Sequence, residues 1–354
     1  MGKEESQSCL IAIRSRQLGD VLATLDALRV LKEARPSRSI AFVVDRRFHG
    51  LLAGETYIDT LMESPPEITG VSTLRAYIRY VRRLRALRPS VVLDFHSTAR
   101  TALLAVLSGA AVRVGFDVRG RKLAYTNVVP RVDASDGRAV ARTSAVSALR
   151  LAQSADTGVS AEVSLPRISV GATALARGSE ALRGCGLPAD AVAERSIVGL
   201  NPGRAYAAKA WPEAFFVELA SGLVKLGRRV AVMWGPGEEE AGRRIRQSSG
   251  EGVHMIPRTE LIDMPGVMAH LSLLVTIDSG LKHMAVCAGV PTLTLFGPTS
   301  PAEWHMGTDR DRYLWRGYSC SPCRRIDCPF GAPCMADISP GEVLAEVERM
   351  LTKG

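Results

Sequence analysis

The chain has 354 residues, and at roughly 150 residues per domain that length predicts about two domains. With 46% of residues apolar, 23% charged and every apolar run well short of the roughly 20 residues of a membrane span, the composition excludes the disordered, fibrous and membrane-spanning classes. The formal charge of +9 falls entirely in the first half, with 26 Lys and Arg against 17 Asp and Glu over residues 1–180 and 19 against 19 over 181–354. A one-signed field on half a chain points to an anionic partner, such as acidic lipid headgroups, a phosphorylated substrate or nucleic acid, although a solvated basic face has the same composition. Met1–Ser8 are polar and the apolar run Cys9–Ile13 is too short for a signal peptide, so a cytoplasmic location is expected. Seven cysteines are too few for a disulfide scaffold and are expected to be free or on a metal.

In chain order, Leu10–Arg14 reads as a buried strand, Val21–Glu33 as a helix and Ile40–Val44 as the next strand. Leu74–Leu87 repeats Leu74, Tyr77, Ile78, Val81, Leu84 and Leu87 on one helical face, and Pro89 stops it before the strand Val91–Phe95. The stripe is expected to face the core, leaving Arg75, Arg79, Arg82, Arg83, Arg85 and Arg88 toward solvent or headgroups; a helix lying on an anionic bilayer is the alternative. The pattern restarts with the strand Ser196–Leu200, a helix from about Pro212 to Leu226, and strands at Arg229–Trp234, Leu273–Ile277 and Pro291–Phe296. Alternating strands and helices predict an α/β fold of two Rossmann-like domains, residues 1–175 and 190–354, with a linker at about 165–190 and a last helix free to pack back on the first domain.

Four segments could carry chemistry. The turn Arg14–Asp20 follows the first strand, where open α/β sheets bind ligands; Asp20 is placed either for function or to cap the following helix. Asn201-Pro-Gly-Arg-Ala-Tyr-Ala-Ala-Lys places Gly203, Arg204 and Lys209 before a helix, a setting that suits phosphate but lacks the spacing of an ATPase loop. In Asp278-Ser-Gly-Leu-Lys-His, a turn opens a helix whose amides favour negative charge, Asp278 offers a carboxylate to hydroxyls, and His283 either donates to an oxygen or packs. Nearby, Glu238 and Glu239 either bind ribose hydroxyls or form a solvated first helical turn. Cys320, Cys323, Cys328 and Cys334 form a tight cluster that is either a tetrahedral metal set or a group of reduced or oxidisable thiols. No G-x-G-x-x-G follows the first strand, which speaks against a dinucleotide dehydrogenase.

At these residues the sequence resembles the lipopolysaccharide heptosyltransferases, glycosyltransferases with two Rossmann-like domains facing each other across a cleft (the GT-B architecture). The likeness rests on Arg14 with Leu18-Gly-Asp20, Asp94-Phe-His-Ser, Asn201-Pro-Gly with Lys209 and Trp211-Pro, and Asp278-Ser-Gly-Leu-Lys-His with Leu295-Phe-Gly-Pro-Thr-Ser-Pro, in family order along nearly the whole chain. It departs from the family at Asp26, where proline is frequent, and at His96, where glutamine is common.

The resemblance implies an inverting, metal-independent transfer of heptose from ADP-heptose to a Kdo-lipid A type acceptor at the cytoplasmic face of the inner membrane. A protein acceptor, or a non-catalytic sugar-nucleotide-binding role, are the alternatives. By the same resemblance Asp20 is the general base and Lys209 the phosphate-binding lysine. Asn201, Gly203, Arg204, Glu238, Glu239, Asp278, Ser279, Gly280, His283, Gly297 and Thr299 are expected around the donor, and Arg14, Arg16, His96 and Arg100 around the acceptor. No cofactor is expected beyond the donor sugar nucleotide. The expected partners are the anionic glycolipid and the anionic membrane surface, not nucleic acid.

Overall fold

The computed structural model describes residues 9–130, 143–156, 158–159, 165–203, 206–306 and 309–352. The chain divides into two compact units, one holding the described residues up to Pro166 and the other those from Arg167 onward.

The first unit runs β1 (Cys9–Ile13), α1 (Leu18–Ala34), β2 (Ser39–Val44), α2 (His49–Leu52), β3 (Thr60–Glu63), α3 (Val71–Ala86), β4 (Pro89–Asp94), α4 (Ala99–Leu107), β5 (Val112–Phe116), β6 (Asn127–Val129) and α5 (Thr143–Ala155). The six strands pair in parallel in the order β3-β2-β1-β4-β5-β6. All five residues of β1 are buried because helices cover both faces of a parallel sheet, so a central strand reads as a continuous apolar run. Leu84 of α3 and Ala102, Leu104 and Ala105 of α4 meet Ile11, Ile13, Val43 and Val92 in one core, while α5 packs on α1, β4 and β5. Strand order reverses between β1 and β4, and the loops after those two strands are the unit's natural binding position.

The second unit runs α6 (Ala172–Gly184), α7 (Ala189–Ala193), β7 (Ile197–Asn201), α8 (Glu213–Lys225), β8 (Arg229–Val232), α9 (Glu239–Ser249), β9 (Val253–Met255), α10 (Met264–Met268), β10 (Leu271–Ile277), α11 (Gly280–Cys287), β11 (Thr292–Phe296), α12 (Pro301–Trp304), β12 (Arg312–Trp315), α13 (Pro333–Ala336) and α14 (Pro340–Thr352). Its sheet, β12-β11-β10-β7-β8-β9, is also wholly parallel and repeats the first unit's strand order, with the reversal between β7 and β10. The α/β class and the two Rossmann-like sheets are therefore as the sequence predicts.

Two expectations change, for the segment 165–190 and for the stripe of α3. The segment 165–190, read as a linker, contains α6, which packs on α10 so closely that a Cβ on Gly178 would lie 2.2 Å from the Gly266 carbonyl carbon. The last helix, α14, packs on α8 and β10 of its own unit, burying Val343 and Val347. In α3 the apolar stripe is split: Tyr77 and Leu84 are buried, but Leu74 and Ile78 are exposed. The core lies beneath the Tyr77–Leu84 line, which leaves the flank that carries Val71, Leu74 and Ile78 facing outward.

Candidate active site

In the second unit the two loops at the reversal converge. Asn201, the last residue of β7, donates from Nδ2 to Thr276 Oγ1 (2.9 Å) and Ser279 Oγ (3.0 Å), tying the end of β7 to the turn after β10. Its Oδ1 is buried and has no partner among the described residues, so it can accept from a ligand hydroxyl. Gly203 turns the following loop at a positive φ of 42°. Ser279 caps α11, its hydroxyl accepting from the Lys282 amide, and Gly280 is the first helical residue.

Asp278 is the hub. Lys282 Nζ donates to its Oδ1 (2.8 Å), and Lys209 Nζ (2.9 Å) and Thr299 Oγ1 (2.8 Å) donate to its Oδ2. Lys282 also donates to the Trp304 carbonyl at 2.7 Å and is only 1% exposed. Burial alone would push the Asp278 carboxyl up, but the ammonium groups of Lys282 and Lys209 overcome this and hold it far below the usual carboxylate range. One carboxylate thus sits between two lysines, a net positive charge beside the amides of the α11 N-terminus. Within the protein Asp278 Oδ1 thus has one donor and Oδ2 has two, and the carboxylate is held at the turn that opens α11.

Lys282 was absent from the sequence-based site, yet a signal existed. A lysine four residues after an aspartate at a helix start is placed to pair with it. His283 is 4% exposed, with Nδ1 3.1 Å from Met306 Sδ and its ring edge-on to Trp304. Burial, then the Lys282 charge, lowers its pKa well below the usual range, so the ring is neutral and lies among packing residues.

Glu238 holds the preceding turn by accepting from the Gly235 amide at 2.8 Å, and Glu239 is exposed and paired with Arg243 at 2.8 Å, the solvated first-turn arrangement. Gly297 leaves room for Met335, whose Sδ would lie 2.5 Å from an added Cβ. Arg204 lies outside the described residues.

The cysteine segment clips onto the same loops. Ala208 donates its amide to the Ile326 carbonyl (3.1 Å) and Arg324 to the Pro298 carbonyl (2.9 Å), next to Lys209 and Thr299 respectively. All four thiols are free, and among the described residues no three His, Cys, Asp or Glu side chains are placed to hold a metal ion. Burial raises the Cys334 pKa, and the neighbouring Cys323, Cys328 and Cys320 add to this.

In the first unit, Arg14, Ser15 and Arg16 leave β1 together, and Gln17 turns the chain at φ 65° into α1. The helix begins at Leu18, so Asp20 lies inside its first turn and is not the cap; the expected start at Val21 was three residues late. Arg14 pairs with Asp20 (2.5 Å) and donates to the Phe95 carbonyl. After β4, buried Asp94 accepts from the amides of His96 (3.0 Å) and Ser97 (2.8 Å) and from the Tyr125 hydroxyl (2.8 Å), which shapes the turn that presents His96. Burial raises the Asp94 pKa against those hydrogen bonds.

His96 Nδ1 lies 2.8 Å from Ser15 Oγ, joining the two loops at the reversal. Arg16 and Arg100 both bind Glu67 at 3.0 Å. Ser15, Arg16, Asp45, Glu67, His96 and Arg100 line a cavity of about 410 Å³. Of the four residues expected around the acceptor, Arg16, His96 and Arg100 line this cavity, while Arg14 is not among its lining residues and pairs with Asp20.

Two α/β units, each with a polar constellation at its own switch point, define the class of protein, and the comparisons with known proteins supply the family. The sequence profile of glycosyltransferase family 9 (heptosyltransferase) matches residues 77–333, and the chain belongs to that family and is a glycosyltransferase. It is 28% identical to lipopolysaccharide heptosyltransferase 1 of Pseudomonas aeruginosa over 97% of this chain and 98% of that protein. In fold it is similar to a family 9 glycosyltransferase of Veillonella parvula (TM-score 0.81, 22% identity, 98% of each chain). It is likewise similar to the E. coli ADP-heptose lps heptosyltransferase II (TM-score 0.79, 20% identity, 98% of this chain and 99% of that one).

Proposed function

We propose that the protein transfers heptose from ADP-heptose to a lipopolysaccharide inner-core acceptor of the Kdo-lipid A type, in one step that inverts the anomeric centre. The observation that supports this best is the Lys209–Asp278–Lys282 cluster at the N-terminus of α11. It is a fixed positive charge, suited to the diphosphate of a nucleotide sugar and to the charge that grows on it as it leaves. In this reading the acceptor hydroxyl oxygen bonds to the anomeric carbon as the bond from that carbon to the ADP oxygen breaks. The hydroxyl proton passes to the Asp20 carboxylate, oriented by Arg14, and ADP departs with the bonding pair.

The unpaired Asn201 Oδ1 accepts from a donor hydroxyl, and the amide edge of α11 with Lys209 holds phosphate oxygens. These charges meet the leaving group without a divalent cation, so transfer is expected to proceed in a chelator. Arg16, His96 and Arg100 with Ser15 receive the acidic sugars of the acceptor. The reading places the protein in the cytoplasm, in contact with the anionic inner membrane that carries the acceptor.

The test is a panel of ADP, UDP and GDP sugars offered with a deacylated core acceptor, reading nucleotide release. ADP release that depends on ADP-heptose and acceptor is expected. Preference for a UDP or GDP donor overturns the heptose assignment, transfer to a polypeptide and not to the core sugar overturns the acceptor, and donor binding without release overturns catalysis.

A further inference from the structure

The outward side of α3 is unusual in both its apolar and its charged residues. Val71, Leu74 and Ile78 are 69%, 43% and 44% exposed and follow one another along the helix at three- and four-residue steps, so they form one strip, and Ile68, in the loop before the helix, is 51% exposed. Arg75, Arg79, Arg82 and Arg83 are exposed beside and beyond that strip, and among the described residues none has a carboxylate partner. α4 covers the same face of the sheet and joins α3 through the bond from Arg85 Nε to the Leu107 carbonyl (2.8 Å). It adds exposed Leu103 and Val106.

The sequence of this layer has the matching bias. From Ile68 to Phe116 there are eight arginines, and the one acidic residue, Asp94, is fully buried beneath them. Glu67, just before the stretch, is bridged by Arg16 and Arg100. The layer's own residues therefore expose large apolar side chains and cations, and the exposed Glu63 lies at its edge beside Arg83.

We infer that this face is a membrane-docking surface for an anionic bilayer. Val71, Leu74 and Ile78 enter the interface between headgroups and acyl chains, and the arginines engage lipid phosphates. An apolar strip bordered by cations is what an interfacial helix needs, because the apolar residues supply insertion and the charges supply attraction to the surface. The second candidate for covering it, another copy of this chain, is disfavoured electrostatically. In a two-fold contact the arginines of one copy would face those of the other, with Glu63 at the edge as the acid beside them. A polyanion such as nucleic acid would engage the arginines but leave the apolar strip in water. This inference deepens the membrane-side reading above, but its readout needs no turnover, so its failure leaves the transfer reaction untouched.

The test is flotation of the full chain with vesicles of phosphatidylcholine alone and of phosphatidylcholine mixed with phosphatidylglycerol. Wild type is expected to float with the anionic vesicles only. The triple variants V71S/L74S/I78S and R75Q/R79Q/R82Q are each expected to lower the bound fraction about tenfold or more. Because these side chains are exposed, circular dichroism melting should be unchanged in both. As a separate arm, Leu74→Trp should show a blue-shifted emission on adding anionic vesicles, reporting entry into an apolar medium. Three results would overturn the inference: no flotation of wild type, flotation of the serine variant equal to wild type, or a dimer in light scattering that the serine variant dissolves in the absence of vesicle binding.

Discussion

The two units share a strand order but use the reversal point differently. In the first unit it is an open cavity in which arginines bind Glu67 at the surface and His96 meets Ser15. In the second, the corresponding place is filled by charge taken out of water: Asp278 is 7% exposed and Lys282 1%. The half of the chain with no net charge therefore carries the buried cation cluster, while the basic half carries its excess on the surface. Net charge reports the outer field, whereas the local balance at strand ends reports chemistry. A buried, pre-aligned charge does not reorganise when a leaving group develops charge; an open, solvated cavity accommodates varied acceptors.

The largest effects should come from the residues that make the two reversal points unlike. Asp20→Ala is expected to lower transfer by about 10²–10⁴-fold while leaving donor binding intact, the range for losing a general base. Normal turnover in that variant, measured with donor affinity alongside, would remove the base from the first unit. Asp278→Asn should act on the fold first. It leaves Lys282 buried without its countercharge, and breaking a buried ion pair by neutralising one partner costs about 3–5 kcal/mol, read as a shift in urea midpoint. An unshifted midpoint would show that the cluster is hydrated in solution and that the contrast between the units is false.

Lys209→Ala sharpens the comparison further, because Lys209 retains 17% side-chain exposure where Lys282 has 2%. Its stability cost should be smaller than that of Asp278→Asn, and kcat should fall by about 10²–10³-fold, the loss seen when one charge-stabilising donor is removed. If kcat holds and only KM rises, the lysine binds donor and transition state equally and contributes no rate.

Much of this was legible in the sequence, for a physical reason. Parallel strands covered on both faces must be apolar throughout, so β1, β7, β10 and β11 stand out, as do the polar loops that follow them. Short edge strands such as Arg312–Trp315, largely exposed, carry no such run and were missed. The Asp278–Lys282 pair needed knowledge that both ends are buried, which four-residue spacing alone does not give. The α3 stripe was misassigned because amphipathicity says that a helix has an apolar side, not how wide a core it meets. Here Tyr77 and Leu84 are buried and Tyr80, Val81 and Leu87 are half-buried against the core, but Leu74 and Ile78 lie beyond it. Asp20 was found, but its relation to the helix start was not, because Gln17 turns at a positive φ that sequence gave no cue to.

The smallest expected effect separates the two constellations by pH. His283 has its pKa lowered by burial and by Lys282, so the folded protein resists protonating it while the unfolded chain takes up the proton near the ordinary value of 6.5. Below that value the unfolded state binds more protons, and stability falls as pH falls, by up to about 1.4 kcal/mol per pH unit until the folded ring titrates. Asp278 has the opposite chemistry but the same direction. Its depressed value protects stability above the ordinary 3.8 and loses it only as the pH drops below that. Urea midpoints between pH 7 and 5 should therefore decline in wild type through His283 alone of these two, and His283→Gln should flatten the decline. An unchanged slope in that variant would mean that the ring can reach solvent, and the second unit's switch point would then be as open as the first.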